Sequence, residues 1–416
     1  MRMRILASIV AMSTALLTLA AVASADTTIT GEKKGAFFQI TVPDVWNGDL
    51  VIYNHGFDFD APAPAPGLGP LAGLMLSQGY AVAASSYAQC CWSLFTTQQD
   101  LGRLYEVFED NFGAPGGVIL HGFSLGGIVT AQGLEKLNAN VVGGYPLCGA
   151  LSGSRSWDGG IDLRLVYDAI CDGVAGAVIP GPETGLPAPG HPGFAFSLFD
   201  SVLAANTCFG NLLPPPFRTA AQQARLDTFL SVTQIPEEFV ATDIPFSSHG
   251  VSNVIFEPGK LDGEQGMSNI GVTYNDPTVD ADILRVTPDN KARKRLQRYF
   301  TPKGDVGAAK IVSLHTDKDG LVLVENESEY QSVVPAANLS VGIVVEATPS
   351  HCDFTEAELV GGWTALQGWI AGGPQPSAAA LQGTCQFVEA NFGAAGPCRI
   401  DPAFVIPDLD GRIPPR

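Results

Sequence analysis

The stretch "GGVILHGFSLGGIVTAQGLEKL", residues 116–137, runs from an unbroken apolar segment through a glycine-flanked turn into a helical pattern. "GGVILHGFS" reads as a strand ending at Ser124, because a short apolar run bounded by glycine suits a strand covered on both faces. "LGGIVTAQGLEKL" reads as the helix that follows. A strand feeding straight into a helix is the start of a βαβ unit, and such units build parallel sheets.

The same alternation extends outward. Upstream, "FFQITVP", the pair Asn47-Gly48 and "DLVIYNHG" read as strand, hairpin turn and strand, since Asn-Gly suits the positive φ angles of a type I′ turn. After "APAPAPGLGP" come a short helix at about 71–78 and the strand "YAVAASS". "QQDLGRLYEVFEDNF" then puts Leu101, Leu104, Tyr105, Phe108 and Phe112 on one helical face. Downstream, "NVVGGYPLCGAL" is another strand. From about 153 to 305 the alternation stops, and Gly/Pro-rich linkers such as "IPGPETGLPAPGHPG" and "LLPPPF" separate helical pieces near 161–171, 218–231 and 288–300. It resumes with the strand "AAKIVSLHT", a helix near 324–336, the strand "VGIVVEA" and a last helix from 356. The expected organisation is an α/β core over 26–152 and 306–372, a cap inserted at 153–305, and a tail at 373–416 laid over the core. The tripeptide His-Gly-Phe occurs at 55–57 and again at 121–123. Both copies fall at the carboxyl ends of strands, where sites in such folds lie.

The first residues point to export. "MRMR", an apolar run and Ala23-Ser24-Ala25 read as a secretory signal peptide over 1–25, so a secreted or periplasmic product is expected, with no membrane attachment after cleavage. Eight cysteines in an exported chain favour disulfides over a metal site. Cys385 with Cys398 would close a short tail loop and Cys171 with Cys208 would staple the insertion; adjacent Cys90 and Cys91 leave at most one free to reach a distant partner. The net charge of −19, more negative once Arg2 and Arg4 are removed, excludes nucleic acid as a partner. The basic stretch "KARKRLQRYF" at 291–300 reads as a solvated helix face, and "DKDG" and "DLDG" are fragments of calcium loops that do not continue as such a loop requires. No metal and no cofactor is called for.

Gly122-Phe123-Ser124-Leu125-Gly126 fits G-x-S-x-G, in the strand-to-helix setting where a serine hydroxyl is pushed clear of the sheet. Gly122 and Gly126 leave room for that turn to close. The competing reading, a phosphate-cradling turn, lacks the G-K-[ST] or G-x-G-x-x-G that should accompany it. A serine needs a base and an orienting carboxylate, here in chain order Ser, acid, His. Of the six histidines, at 55, 121, 191, 249, 315 and 351, only His351 lies beyond the last strand. Its loop is pinned by a capping box from Thr355 to Glu358, flanked by Phe354 and Leu359. Asp317 and Asp319 compete for the acid; Asp319, before Gly-Leu-Val, is favoured, with Asp317 left as a turn former. Backbone N–H groups of Leu125 and Phe57 are the expected oxyanion donors, and His55 braces the loop carrying Phe57.

These motifs, "NHGF", "GFSLGG", "LHTDKDGLV" and "SHCDFTEAE" in that order around an insertion, together with "VPDVWNGDLV" and "FEDNFGAPGGVILHG", resemble the secreted bacterial α/β-hydrolases, and among them the phthalyl amidase-like exported hydrolases. The resemblance implies an α/β-hydrolase fold, a Ser124–Asp319–His351 triad, an oxyanion hole at Phe57 and Leu125, and an ester substrate, small or polymeric; amide or aryl-ester cleavage by the same groups, and a secreted binding protein that kept only the fold, are the alternatives. One departure stands out. Tannase and feruloyl-esterase relatives place a cysteine directly before the nucleophile to bridge to one after the histidine. Here Phe123 precedes Ser124, and Cys148, at the end of the next strand, is the expected partner of Cys352 instead.

Overall fold

The computed structural model describes residues 26–181, 196–393 and 395–416. The signal-peptide reading, His191 and most of the linker at 179–193 lie outside them. Among the described residues the strands are β1 (Thr27–Lys33), β2 (Ala36–Val42), β3 (Leu50–Asn54), β4 (Ala81–Ser85), β5 (Val118–Phe123), β6 (Val141–Leu147), β7 (Lys310–Thr316) and β8 (Leu339–Val344). They form one sheet in the order β1-β2-β4-β3-β5-β6-β7-β8. β1–β2 and β2–β4 are antiparallel and every other pairing is parallel. This is the α/β-hydrolase fold.

Helices α1 (Ala72–Ser77), α2 (Leu94–Phe112) and α3 (Leu125–Lys136) follow β3, β4 and β5. Between β6 and β7 run α4 (Ser154–Cys171), α5 (Leu198–Phe209), α6 (Ala220–Thr233), α7 (Val240–Pro245), α8 (Val251–Phe256), α9 (Pro277–Asp282) and α10 (Asn290–Phe300). α11 (Asn326–Val333), α12 (Glu356–Ile370) and α13 (Ala378–Asn391) complete the chain.

Strand periodicity explains the layering. Leu50, Ile52, Val118 and Leu120 belong to the core on one face, with Leu101, Leu104 and Phe108 of α2 and Ile128 and Val129 of α3. The residues between them, Val51 and Ile119, belong to the opposite core, with Met75 of α1, Trp363 and Leu366 of α12, and Leu381 and Val388 of α13. Successive side chains on a strand point to opposite faces, so a continuous apolar run needs a helical layer on each.

Several expectations are corrected. Gly48 does take φ +99° and Asp49 N–H donates to Asn47 Oδ1 at 2.9 Å, but β2 and β3 form no hairpin: β4 lies between them. β3 is buried at four of its five positions, and a strand that apolar is best paired on both edges, which β4 and β5 do. The strand that does form a hairpin with β2 is β1, turned by Lys34 and Gly35 at positive φ; its mostly polar, exposed "TTITGEK" carries little apolar signal. The last helix is α13 within the tail, packed on α12 and β8 and joined to the chain's end by the Cys385–Cys398 disulfide.

The disulfides are Cys90–Cys91, Cys148–Cys352, Cys171–Cys208 and Cys385–Cys398. The adjacent pair closes on itself, with Cys91 at φ +64°. The basic α10 is also more than a solvated face: Arg293 is bidentate to the buried Asp158 at 2.8 Å, and Leu296 and Phe300 are buried. No helix among the described residues is long and apolar enough to cross a membrane.

Candidate active site

β5 lies within the sheet between β3 and β6. Ser124 sits between β5 and α3 at φ +57°, ψ −120°, a strained conformation for a non-glycine residue. The neighbouring glycines make it possible. A Cβ on Gly126 would lie 2.0 Å from the Asn54 carbonyl oxygen, and one on Gly122 would lie 2.4 Å from the same atom. The end of β3 therefore rests directly on the turn. Asn54 Nδ2 donates to Thr130 Oγ1 at 2.9 Å and ties that end to α3.

Past β7, Asp319 is buried, and its Oδ1 accepts the N–H groups of Leu321 and Val322, each at 3.0 Å. Its Oδ2 lies 2.6 Å from His351 Nδ1, and His351 Nε2 lies 2.9 Å from Ser124 Oγ. The structure thus brings Ser124, His351 and Asp319 into one hydrogen-bonded chain. Asp317 stands outside it and accepts the Glu346 N–H at 2.8 Å. The His351 loop is held at both ends. The capping box of Thr355 and Glu358 starts α12, and the Cys148–Cys352 disulfide joins the loop to the end of β6.

Leu125 is the first residue of α3, so its N–H has no acceptor within the helix. Phe57 N–H has no hydrogen-bond partner among the described residues. A Cβ on Gly56, next to Phe57, would stand 3.7 Å from Ser124 Cβ, so the Phe57 loop passes beside the serine. The Phe57 ring packs edge-on against Trp92 and Phe246. His55 stacks on Tyr87 with ring centroids 4.2 Å apart, and its Nδ1 meets the Gly56 carbonyl at 2.7 Å, so it braces the loop.

Ser124 opens onto a cavity of about 260 Å³ lined by Trp92, Trp157, Ile235, Phe246 and Leu321. Much of that wall comes from the insertion, where pattern reading finds helices but no positions. Two further groups escape it. His315, buried, reaches Glu327 Oε1 at 3.2 Å and donates from Nε2 to the Val322 carbonyl at 2.8 Å, steadying the turn whose amides hold Asp319. Burial lowers its pKa, but the hydrogen bond and charge of Glu327 outweigh this and raise it. The other is Asp243, on the cavity wall.

Among the described residues, Asp319, His351 and Cys352 are a group of three potential metal-ligand atoms within 4.8 Å of one another. The sulfur of Cys352 is tied to Cys148 and offers no thiolate, and the other two already hold each other.

His121 is fully buried on β5, with neither ring nitrogen hydrogen-bonded among the described residues, and burial lowers its pKa from 6.5 to about 3. Below pH 6.5 the unfolded chain binds a proton there that the folded chain refuses until about pH 3. The contribution is therefore complete above pH 6.5 and lost as pH falls, at up to about 1.4 kcal/mol per pH unit. Urea unfolding at pH 7 and pH 5 is expected to show wild type losing about 2 kcal/mol more than His121→Leu over that interval; equal losses in the two proteins would contradict the buried neutral state.

No protein-family model matches this chain, and no curated protein matches it in sequence. Solved structures similar to it include an esterase of Pyrococcus furiosus (15% identity, TM-score 0.40, covering 83% of this chain and 89% of that one). Feruloyl esterase B from Aspergillus oryzae shares 12% identity at TM-score 0.42, over 84% and 81% of the two chains. Lipase A of Candida antarctica in its closed state shares 12% at 0.41, over 94% and 83%.

Proposed function

We propose that this chain is an exported serine hydrolase of carboxylic esters, with Ser124 as nucleophile, His351 as general base and acid, and Asp319 as the group that orients the imidazole. The observation that carries the reading is the hydrogen-bonded chain from Asp319 through His351 to Ser124, with the serine raised on a strained strand-to-helix turn.

The geometry supports the following steps. Ser124 Oγ attacks the acyl carbon as its proton passes to His351 Nε2, and the imidazolium is stabilised by the buried Asp319 carboxylate. The N–H groups of Leu125 and Phe57 receive the charge developing on the carbonyl oxygen. Collapse expels the alcohol, protonated by His351, and leaves an acyl-enzyme on Ser124. Water, deprotonated by the same imidazole, then releases the acid. These groups supply the whole reaction, so no cofactor enters. An amide follows the same course with protonation of its leaving nitrogen, as the phthalyl amidase-like motifs suggest, and a polymeric or aryl ester would differ only in how it meets the walls. Residues 153–305 act in this reading as a cap over the serine, and 373–416 as a tail on the core. Four disulfides and the leader-like residues 1–25 support export.

The test is covalent labelling. A fluorophosphonate probe is expected to label the wild-type protein stoichiometrically and to leave Ser124→Ala unlabelled. A folded wild-type protein that takes up no probe would instead favour the secreted binding protein on the same fold.

A further inference from the structure

Asp243 lies on the wall of the cavity that Ser124 opens onto. It belongs to α7, which runs directly into a π turn at Phe246–Gly250, and Asp243, Phe246 and Ser247 all face the cavity. Such wide turns recur where a helix has to aim side chains at a site. The packing that holds this segment is close: a Cβ on Gly320, the residue after Asp319, would lie 2.5 Å from the Phe239 ring that precedes α7.

Asp243 is 4% exposed, and neither of its carboxylate oxygens has a hydrogen-bond partner among the described residues. Buried carboxyls are ordinarily paired, since an unpaired one costs free energy. The other charged groups on the cavity wall follow that rule. Asp162 is held by Tyr274 at 2.7 Å and by Arg416 at 3.0 Å, and Arg412 is held by Glu325 at 3.0 Å. Asp243, on the same wall as Trp92, Trp157 and Phe246, is left with nothing to neutralise it. Burial, and then the nearby Asp319 charge, push its carboxyl well above the usual carboxylate range. A cation entering the cavity would stabilise the carboxylate, and the aromatic residues Trp92 and Trp157 on the same wall suit a cation. A chain of net charge −19 also concentrates cations at its surface.

We infer that the cavity is an amine subsite, in which Asp243 pairs with a protonated amino group on the acyl part of the substrate, so that the preferred substrates are aminoacyl esters or amides. This rests on the serine-hydrolase reading above. Asp243 is a specificity-determining residue, and the hydrolytic steps at Ser124 are unchanged by it.

The experiment compares kcat/KM for 4-nitrophenyl esters of 2-aminoethanoyl, 4-aminobutanoyl and 6-aminohexanoyl groups with those of alkanoyl groups of matching length, in wild type, Asp243→Asn and Asp243→Leu. Intrinsic reactivity cancels when each amine-to-alkyl ratio in wild type is divided by the ratio in the variant. That quotient is expected to reach about 30-fold or more for at least one chain length, about 2 kcal/mol of lost pairing. Asp243→Leu, which removes the unpaired carboxyl without leaving a void, is expected to melt higher than wild type and to show the same loss of preference. Fluorophosphonate labelling of all three proteins reports the serine independently. Full labelling with quotients near one at every chain length overturns the amine subsite and leaves the hydrolase reading standing, whereas absence of labelling in folded wild type overturns both.

Discussion

His351→Ala is expected to lower kcat on a 4-nitrophenyl ester by about 10⁶-fold while the protein stays folded. Without the imidazole, Ser124 Oγ loses the acceptor that now stands 2.9 Å away, and a neutral hydroxyl is a poor nucleophile. In the proposed reaction the leaving alcohol also loses its proton donor, so removing the base is expected to cost as much as removing the nucleophile. The other histidines near the turn serve as controls. His121 is on the strand leading to Ser124 but is enclosed and unpartnered, so His121→Ala should lower stability and spare most of the turnover. His55→Ala removes the ring stacked on Tyr87 and loosens the Phe57 loop, so a loss of about tenfold to a hundredfold through the oxyanion site is expected, well short of the base's effect. Parallel measurement of kcat and thermal melting separates the roles. A folded but dead His121→Ala beside an active His351→Ala would transfer the base to the other histidine.

The second large effect is Asp319→Asn, with kcat down by about 10⁴-fold and substrate binding little changed. The present carboxylate does two things at once: Oδ1 accepts two backbone N–H groups and Oδ2 faces His351 Nδ1 at 2.6 Å. An asparagine cannot do both. With its oxygen toward the amides of Leu321 and Val322, its NH₂ meets Nδ1 and forces the imidazole into the tautomer that cannot accept from Ser124. With its oxygen toward His351, the NH₂ opposes two donors and the turn loses its hold. Asp317→Asn is the matched control. It can still accept the Glu346 N–H, so kcat should stay within about twofold, and the cost falls on stability at about 1 kcal/mol or less. A dead Asp317→Asn with an active Asp319→Asn would exchange the two assignments.

The parallel α/β core, the turn carrying Ser124, the capped helix behind His351 and the acid after β7 are legible in the chain because each is local. Apolar runs, glycine spacing and a Thr-x-x-Glu box act over a few residues, and their meaning does not depend on distant partners. Strand order is different. "FFQITVP" and "DLVIYNHG" look like a hairpin at short range, yet β4 separates them because the buried β3 gains a parallel neighbour on each edge, a balance set by the whole sheet. β1 and α13 were hidden for a related reason, since an exposed edge strand and a helix in a Gly/Pro-rich tail take their stability from what they pack on.

The site divides along the same line. Ser124, His351 and Asp319 stand in the chain as residue types in a workable order, but His351 is 227 positions from Ser124 and 32 from Asp319, and only the assembled sheet and the Cys148–Cys352 bridge set their atoms within hydrogen-bond reach. The insertion shows the limit most plainly. Its helices are visible as periodicity, while whether an aspartate meets solvent, an arginine or an aromatic cavity wall depends on contacts the chain makes only after folding, and the isolation of Asp243 on the wall of the cavity that Ser124 also lines is a property of the tertiary structure alone.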